Sequence, residues 1–162
     1  MEVYLDNAAT TRPSKDVITE MVRASDQLYG NPSSLHSKGV EVEREIKRVR
    51  RLLARSLVCK ESEIIFTSGG TEANNLAIQG FVTANKHKGN HLVTSKIEHK
   101  SVLELHRKLE KEGCRVTYLD VDSEGFISLS QLEEAITSET ILVSIMHVNN
   151  EVGSIQPIRK IS

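Results

Sequence analysis

Apolar residues recur along the chain at two spacings, one typical of amphipathic helices and the other of short buried strands. Spacings of three and four residues predict helices at 16–28, about 37–57, 71 to about 86, 100–112 and 129–136. Short runs rich in β-branched residues predict strands at 64–67, 91–95, 115–119 and 141–146. Residues 3–5 are predicted to form a short strand or an extended arm.

From residue 64 onwards, the predicted strands alternate with predicted helices. Such alternation implies right-handed crossover connections and a mostly parallel sheet with helices on its faces. The run at 141–146 is almost continuously apolar, as expected of a strand that is covered on both faces. The pattern therefore predicts an α/β fold.

Polar residues whose side chains can bind a ligand or take part in a reaction follow three of the predicted strands. These segments are Ser68–Thr71, Lys96–His99 and His147–Glu151. Because the carboxyl ends of parallel strands share one edge of the sheet, a phosphate-binding turn, an imidazole and a pair of amides are expected to converge there. This convergence indicates a cofactor site.

The turn Ser68-Gly69-Gly70-Thr71 leads directly into a predicted helix. A helix N-terminus presents unpaired backbone N–H groups and the positive end of the helix dipole, which together suit a phosphate. The glycines let the backbone approach an anion, and the Ser68 and Thr71 hydroxyls add hydrogen-bonding groups. Taken alone, the same pattern also describes an ordinary helix cap that binds nothing.

Composition narrows the possible partners. The chain has 162 residues, 21 basic and 22 acidic side chains and a net charge of -1, so no overall field favours nucleic acid or an anionic membrane. Its two cysteines, Cys59 and Cys114, lie far apart and match no zinc or disulfide pattern. We expect no metal site, no membrane partner and a cytoplasmic location.

Five motifs in order give the chain a family resemblance. They are Tyr4–Thr11, Gly30–Ser34, Phe66–Glu72, Glu98-His99 and Met146–Gly153. With these motifs the chain resembles the N-terminal part of the cysteine desulfurases, which are pyridoxal 5'-phosphate (PLP) enzymes of the class-V aminotransferase superfamily. The resemblance covers essentially all 162 residues but less than half of a complete family member.

The resemblance implies a fold and a domain organisation. The fold is part of the large domain of the PLP-dependent transferases (aspartate aminotransferase-like, fold type I), with a mostly parallel sheet and flanking helices, here truncated. Residues 1–13 correspond to an N-terminal arm or small-domain segment, and residues 14–162 to an incomplete PLP-binding large domain.

The resemblance also assigns site residues. Gly70 and Thr71 would contact the cofactor phosphate, which agrees with the helix N-terminus argument. His99 would stack on the pyridine ring and is the candidate for proton transfer. Asn150 would hydrogen-bond near the 3-hydroxyl of the ring. The implied cofactor is PLP, and no metal ligand is assigned.

The implied reaction removes sulfur from L-cysteine and leaves L-alanine and an enzyme persulfide, which supplies iron–sulfur clusters or thio-modified nucleotides. The complete family is homodimeric, and a sulfur-acceptor or scaffold protein is an expected partner. A selenocysteine lyase or another class-V aminotransferase is the enzymatic alternative. A short chain that completes a split enzyme, or binds a partner without catalysis, is the alternative from another class.

Several residues of this chain do not correspond to the family's remaining catalytic groups. The family's Schiff-base lysine, pyridine-binding aspartate and persulfide cysteine lie beyond residue 162. Lys96 and Lys100 are interpreted as ordinary lysines, and neither Cys59 nor Cys114 corresponds to the persulfide cysteine. We therefore expect a truncated chain that does not turn over cysteine alone. His147, at the end of a strand, is predicted to be a core or near-core histidine.

Overall fold

A computed structural model describes residues 2–162 in two compact units that meet in sequence at Phe66 and Thr67. The first unit contains α1 (Lys15–Gln27), α2 (Ser37–Ser56) and one turn of 3-10 helix at Glu61–Glu63. Helix α1 begins where the Ser14 hydroxyl accepts a hydrogen bond from the Val17 N–H. The two helices lie within one residue of the predicted bounds at each end, because both carry clear helical spacing.

The second unit holds a three-stranded sheet with four helices. Its elements are α3 (Gly70–Asn85), β1 (His91–Ser95), α4 (Lys100–Lys111), β2 (Arg115–Leu119), α5 (Leu129–Ala135), β3 (Thr140–Ser144) and α6 (Ile158–Ile161). The strands are parallel in the order β2-β1-β3. Among the described residues, no helix combines the length and the apolar character needed to cross a membrane.

The central strand β1 is buried along its whole length, and its alternating side chains enter two hydrophobic clusters. Leu92 packs with buried residues of α3 and α4, namely Ile78, Val82, Val102, Leu105 and Leu109. Val93 packs in the other cluster with Leu119, Ile127 and Leu132. Both faces of β1 are therefore covered, and its polar residues His91, Thr94 and Ser95 are buried with hydrogen-bond partners.

A buried histidine joins the three strands at the start of the sheet. The Nδ1 atom of His91 lies 2.7 Å from the Thr140 Oγ1, and its Nε2 atom lies 2.9 Å from the Thr117 Oγ1. Burial, with Arg115 nearby as a smaller cause, lowers the pKa of His91. A neutral imidazole with both nitrogens hydrogen-bonded is thus part of the sheet.

The predicted strand at 64–67 is wrong. Ile64 has extended backbone angles, φ -90° and ψ 121°, yet the segment pairs with no strand among residues 2–162. Ile65 is 66% exposed and Phe66 is 48% exposed. A β-branched run favours extended backbone but forms a strand only where a neighbour accepts its hydrogen bonds. Residues 3–5, predicted to form a short strand or an extended arm, form no strand, and their side chains are exposed.

Strand β3 differs from the prediction in length and burial. It ends at Ser144 instead of Met146, and its residues are half-buried rather than fully covered. The backbone N–H of Met146 donates to the Glu98 carboxylate, so it is no longer available to the strand ladder. β3 is also at the edge of the described sheet, where one side has no neighbouring strand.

Gly89 marks a close approach between two loops before the sheet. An added Cβ at this position would overlap the backbone carbonyl of Glu139, which also accepts the His91 N–H at 2.9 Å. We predict that Gly89→Ala lowers the free energy of unfolding by about 1–3 kcal/mol, because backbone must shift to relieve the overlap. Thermal and urea unfolding followed by circular dichroism measure this change.

Gly80 supplies the matched control, because a Cβ there would meet no atom within 4 Å. It lies inside α3, where Gly→Ala is expected to raise stability by about 0.5–1 kcal/mol. Equal effects of the two substitutions would contradict the close approach at Gly89.

Candidate functional site

A cavity of about 440 Å³ lies between the N-terminal halves of α3 and α4. Its lining residues are Thr71, Asn75, His99, Lys100, Ser101, Glu104, Leu105 and Lys108. Two of the four predicted site residues, Thr71 and His99, are thus brought together. Gly70 immediately precedes Thr71 as the first residue of α3, and Asn150 does not line this cavity.

The N-terminus of α3 is open to a ligand. Gly69 is the N-cap residue and offers no side-chain hydrogen bond to the helix. A Cβ on Gly69 or Gly70 would meet nothing within 4 Å, so packing against the described residues does not require glycine at either position. The space above the first turn and its unpaired backbone N–H groups suit an anion held against the backbone.

Glu72 is the acidic residue nearest to this N-terminus, and its carboxylate folds back onto Ser68. Its Oε2 atom accepts hydrogen bonds from the Ser68 N–H at 2.6 Å and from the Ser68 hydroxyl at 2.7 Å. These bonds lower the pKa of Glu72. The Ser68 hydroxyl, predicted as a phosphate contact, is therefore already committed, which leaves Thr71 as the free hydroxyl of this turn.

His99 is the N-cap residue of α4, and the Nδ1 edge of its ring is hydrogen-bonded to the helix. Its Nδ1 atom accepts a hydrogen bond from the Ser101 N–H at 3.1 Å and lies 2.8 Å from the Ser101 hydroxyl. A backbone N–H can only donate, so Nδ1 is an acceptor and the neutral ring carries its proton on Nε2. The exposed ring presents Nε2 without a partner among the described residues.

Glu98 lies directly before His99 and is buried, with 7% of its surface exposed. Its Oε1 atom accepts hydrogen bonds from the Ser95 hydroxyl at 2.7 Å and from the Met146 N–H at 2.8 Å. The carboxyl thereby joins the end of β1 to the segment after β3. Burial raises the pKa of Glu98, and the two hydrogen bonds partly oppose this effect.

Asn149 makes a second connection between these two segments. Its side-chain amide donates to the Ile97 carbonyl at 3.0 Å, and its Oδ1 atom accepts the N–H groups of Glu151 and Val152, both at 2.9 Å. Asn149 is 5% exposed, whereas Asn150 is exposed and its amide donates to Glu151 at 3.1 Å. The sequence prediction selected Asn150 and missed Asn149, whose side chain joins the two segments. The available signal was that asparagine in a turn often accepts a backbone N–H two residues further on.

The prediction that His147 belongs to the core is wrong, because its side chain is exposed. The chain has already left β3 at Ser144, so His147 lies in the following loop and not on a covered strand. Lys96 is exposed and forms an ion pair with Asp120 at 2.7 Å. Lys100 opens α4 and lines the cavity beside His99.

Cys59 and Cys114 are unpaired and half-buried, and burial raises the pKa of the Cys114 thiol. No three His, Cys, Asp or Glu side chains in residues 2–162 are arranged to hold a metal ion. The donors at this site are therefore the helix N–H groups, a hydroxyl and an imidazole. This set can hold an anionic ligand that also carries a flat ring.

The family model described as aminotransferase class-V matches residues 3–162. The chain belongs to this family. A cysteine desulfurase IscS of Clostridium botulinum strain Hall is 48% identical over 160 residues, a match covering 99% of this chain and 40% of the relative. A cysteine desulfurase IscS of Dictyoglomus turgidum is 50% identical over 161 residues, covering 99% and 41%.

Solved structures confirm the predicted fold class. A NifS-like protein superposes with a TM-score of 0.95 at 40% identity, covering 99% of this chain and 44% of that chain. A structure described as SspA in complex with cysteine gives a TM-score of 0.90 at 43% identity, covering 98% and 46%. Members of the class-V family are PLP-dependent. The chain spans about 40% of the length of these curated relatives.

The raised pKa of Glu98 predicts a pH-dependent contribution to stability. A carboxyl with a higher pKa in the folded than in the unfolded state stabilises the fold at low pH, and this contribution is lost as pH rises through the folded pKa. Glu98→Gln keeps the accepting oxygen and removes the charge. We therefore expect the stability of Glu98→Gln, relative to the unaltered chain, to improve as the pH rises above the ordinary glutamate pKa of about 4.3.

Urea unfolding at several pH values measures the difference, and Glu98→Ala is the control. Alanine leaves the Ser95 hydroxyl and the Met146 N–H without their acceptor, so a loss of about 2 kcal/mol or more is expected at every pH. A difference between the glutamine variant and the unaltered chain that stays constant with pH would contradict the account of Glu98.

Proposed function

We propose that this chain forms the N-terminal part of the PLP site of a cysteine desulfurase. The observation that carries the proposal is the meeting of Thr71, at the open N-terminus of α3, with His99, at the N-terminus of α4, around one cavity. The cysteine desulfurases among the relatives support the assignment of this cavity to that chemistry.

The phosphate of PLP is assigned to the first turn of α3. The N–H groups at Gly70 and Thr71, together with the Thr71 hydroxyl, are the donors for its oxygens, and the positive end of the helix dipole favours its charge. The open space at Gly69 and Gly70 fits this role, because a Cβ there would occupy the volume that the anion needs. The Glu72 carboxylate, which is negatively charged, is hydrogen-bonded to Ser68, so it does not compete with the phosphate for the N–H groups of Gly70 and Thr71.

The imidazole of His99 is assigned to the face of the pyridine ring. Its Nδ1 atom is bound to α4, so the ring can stack on a flat ligand while Nε2 holds the proton at the cavity. When bound, PLP supplies an electron sink for the bonds at the substrate Cα. Within this chain, the contribution of His99 is to position the ring and to hold a proton for transfer.

Asn150 is assigned to the 3-hydroxyl side of the ring. Asn149 and Glu98 attach its loop to the segment that ends at His99, so the two predicted residues sit on connected backbone. We further propose that residues 1–13 act as an arm or small-domain segment, and that residues 14–162 belong to the PLP-binding large domain.

The proposed substrate is L-cysteine, and the proposed products are L-alanine and an enzyme persulfide that passes sulfur to an acceptor protein. Two observations support this substrate: the cysteine desulfurase relatives and the similar structure of SspA in complex with cysteine. We also propose that the complete enzyme is a homodimer. Parallel assays of cysteine and selenocysteine, in an enzyme that contains this segment, distinguish a desulfurase from a selenocysteine lyase.

A PLP titration of the purified 162-residue chain, followed by absorbance, tests the site. We predict reversible binding that Thr71→Ala weakens about tenfold, because a hydrogen bond to a charged phosphate is lost. His99→Ala is expected to weaken binding by about 2- to 10-fold through the loss of ring stacking. Thr83→Ala and His87→Ala remove the same side chains from exposed positions outside the cavity and should leave the affinity unchanged.

The binding mode has its own readout. Borohydride treatment followed by mass spectrometry detects a covalent label, and we expect none on Lys96 or Lys100. A label on either lysine, or equal affinities for the site variants and their controls, would contradict the proposed site.

A further inference from the structure

A chain of polar side chains extends from His99 back into the packing between α3 and α4. The Asn74 side-chain amide donates to the Ser101 Oγ at 2.9 Å, and that Oγ lies 2.8 Å from the His99 Nδ1. The Ser101 N–H also donates to Nδ1, at 3.1 Å. Asn74 is on α3, so the orientation of a side chain at the N-terminus of α4 depends on a neighbouring helix.

The directions of these hydrogen bonds are mutually consistent. The amide N–H of Asn74 occupies an acceptor position on the Ser101 oxygen, which leaves the hydroxyl proton free to point at His99. Nδ1 of His99 accepts the backbone N–H, so it carries no proton, and the Ser101 hydroxyl shares the same lone pair as a second donor. The proton of the neutral ring is therefore on Nε2, the atom without a partner among the described residues.

We infer that Asn74 and Ser101 are positioning residues for His99. Together they hold its Nδ1 against α4 and leave Nε2–H directed away from the helix, ready for a ligand. Neither side chain is needed to begin α4, since the His99 ring caps the helix by accepting the Ser101 backbone N–H. This inference rests on the proposed role of His99 at the PLP site, and it adds residues that the family resemblance does not assign.

Both residues are half-buried between the helices, which favours a fixed geometry. The Asn74–Ser101 hydrogen bond is therefore partly shielded from water and loses less to competition from solvent than the exposed bond between Ser101 and His99. The contact between α3 and α4 is also held by apolar packing around Ile78, Val102 and Leu105. Removing the hydrogen bonds of the Asn74 and Ser101 side chains should therefore leave the helices in place and weaken the hold on the His99 ring.

The test is the ¹⁵N NMR spectrum of the His99 ring in the 162-residue chain without PLP. The shift of an unprotonated ring nitrogen reports the hydrogen bonds that it accepts. We expect Ser101→Ala to move the Nδ1 signal toward that of a less hydrogen-bonded nitrogen and to lower the ratio of Nε2–H to Nδ1–H tautomers about fivefold. Ser101→Thr keeps the hydroxyl and should restore the original signal.

Asn74→Asp is the most specific variant. Aspartate has the shape of asparagine, but it can only accept a hydrogen bond from the Ser101 hydroxyl, whereas Asn74 donates one to the Ser101 oxygen. A carboxylate accepts the Ser101 hydroxyl proton, which draws that proton away from His99. We expect the same change in the Nδ1 signal as in Ser101→Ala. Unchanged Nδ1 signals in both variants would overturn the inference.

Ser130→Ala is the matched control, since Ser130 is the second residue of α5 and its hydroxyl lies 2.8 Å from the N-cap Ser128 hydroxyl. It should leave the His99 signals unaltered, and a change there equal to that of Ser101→Ala would also overturn the inference. PLP affinities measured on the same samples report separately on the proposed function. A His99→Ala variant with full affinity would refute the PLP site and leave the NMR result on the ring intact.

Discussion

One buried carboxylate, that of Glu98, connects the parts of the second unit on which the candidate site depends. Its Oε1 atom binds the end of β1 through Ser95 and the exit of β3 through the Met146 N–H. Because this bond withdraws the Met146 N–H from the ladder, β3 ends early and the chain turns into the loop that carries Asn149 and Asn150. His99, the residue that follows Glu98, is the N-cap of α4. The positions of the groups that follow β1 and β3 therefore depend on the same side chain.

The two helix N-termini at the cavity differ in whether a side chain caps them. The His99 side chain caps α4, so its first turn is partly satisfied from within the chain. No side chain caps α3, and Glu72, the nearby acidic group, is bound to Ser68. In the proposed site, the dipole and the N–H groups of α3 therefore bind the phosphate of the ligand, and the imidazole of His99 contacts its pyridine ring. The difference between the two N-termini agrees with the separate roles proposed for Thr71 and His99.

Local patterns predicted most of the second unit. β1 and β2 have the predicted bounds, because each is a short run that contains β-branched residues and each pairs with a neighbour. The helix predicted at 129–136 is α5, and it begins where the Ser128 hydroxyl accepts the Gln131 N–H at 3.3 Å. The position of His99 followed from the general rule that parallel strands end at one edge, since it comes shortly after β1. Thr71 follows no strand among the described residues, and it was placed by the turn and helix N-terminus pattern at residues 68–71.

What sequence reasoning missed depends on partners distant in the chain. The run at 64–67 has strand character, but strand formation requires a neighbour, and none pairs with it among residues 2–162. Whether Asn149 or Asn150 is buried depends on the carbonyl of Ile97, which is 52 positions away from Asn149. The exposure of His147 follows from the Glu98 bond that ends β3. None of these contacts leaves a periodic signal in the sequence.

The most direct test of phosphate binding at α3 is an amide ¹H–¹⁵N correlation spectrum of the chain. It is recorded during titration with PLP and, separately, with pyridoxal, which lacks the phosphate. Phosphate binding at the open end of α3 predicts that the Gly70 and Thr71 amides show the largest shifts with PLP and little change with pyridoxal. Saturation with PLP that leaves both amides unmoved, or equal shifts with the two compounds, would contradict the assignment of this helix N-terminus to the phosphate.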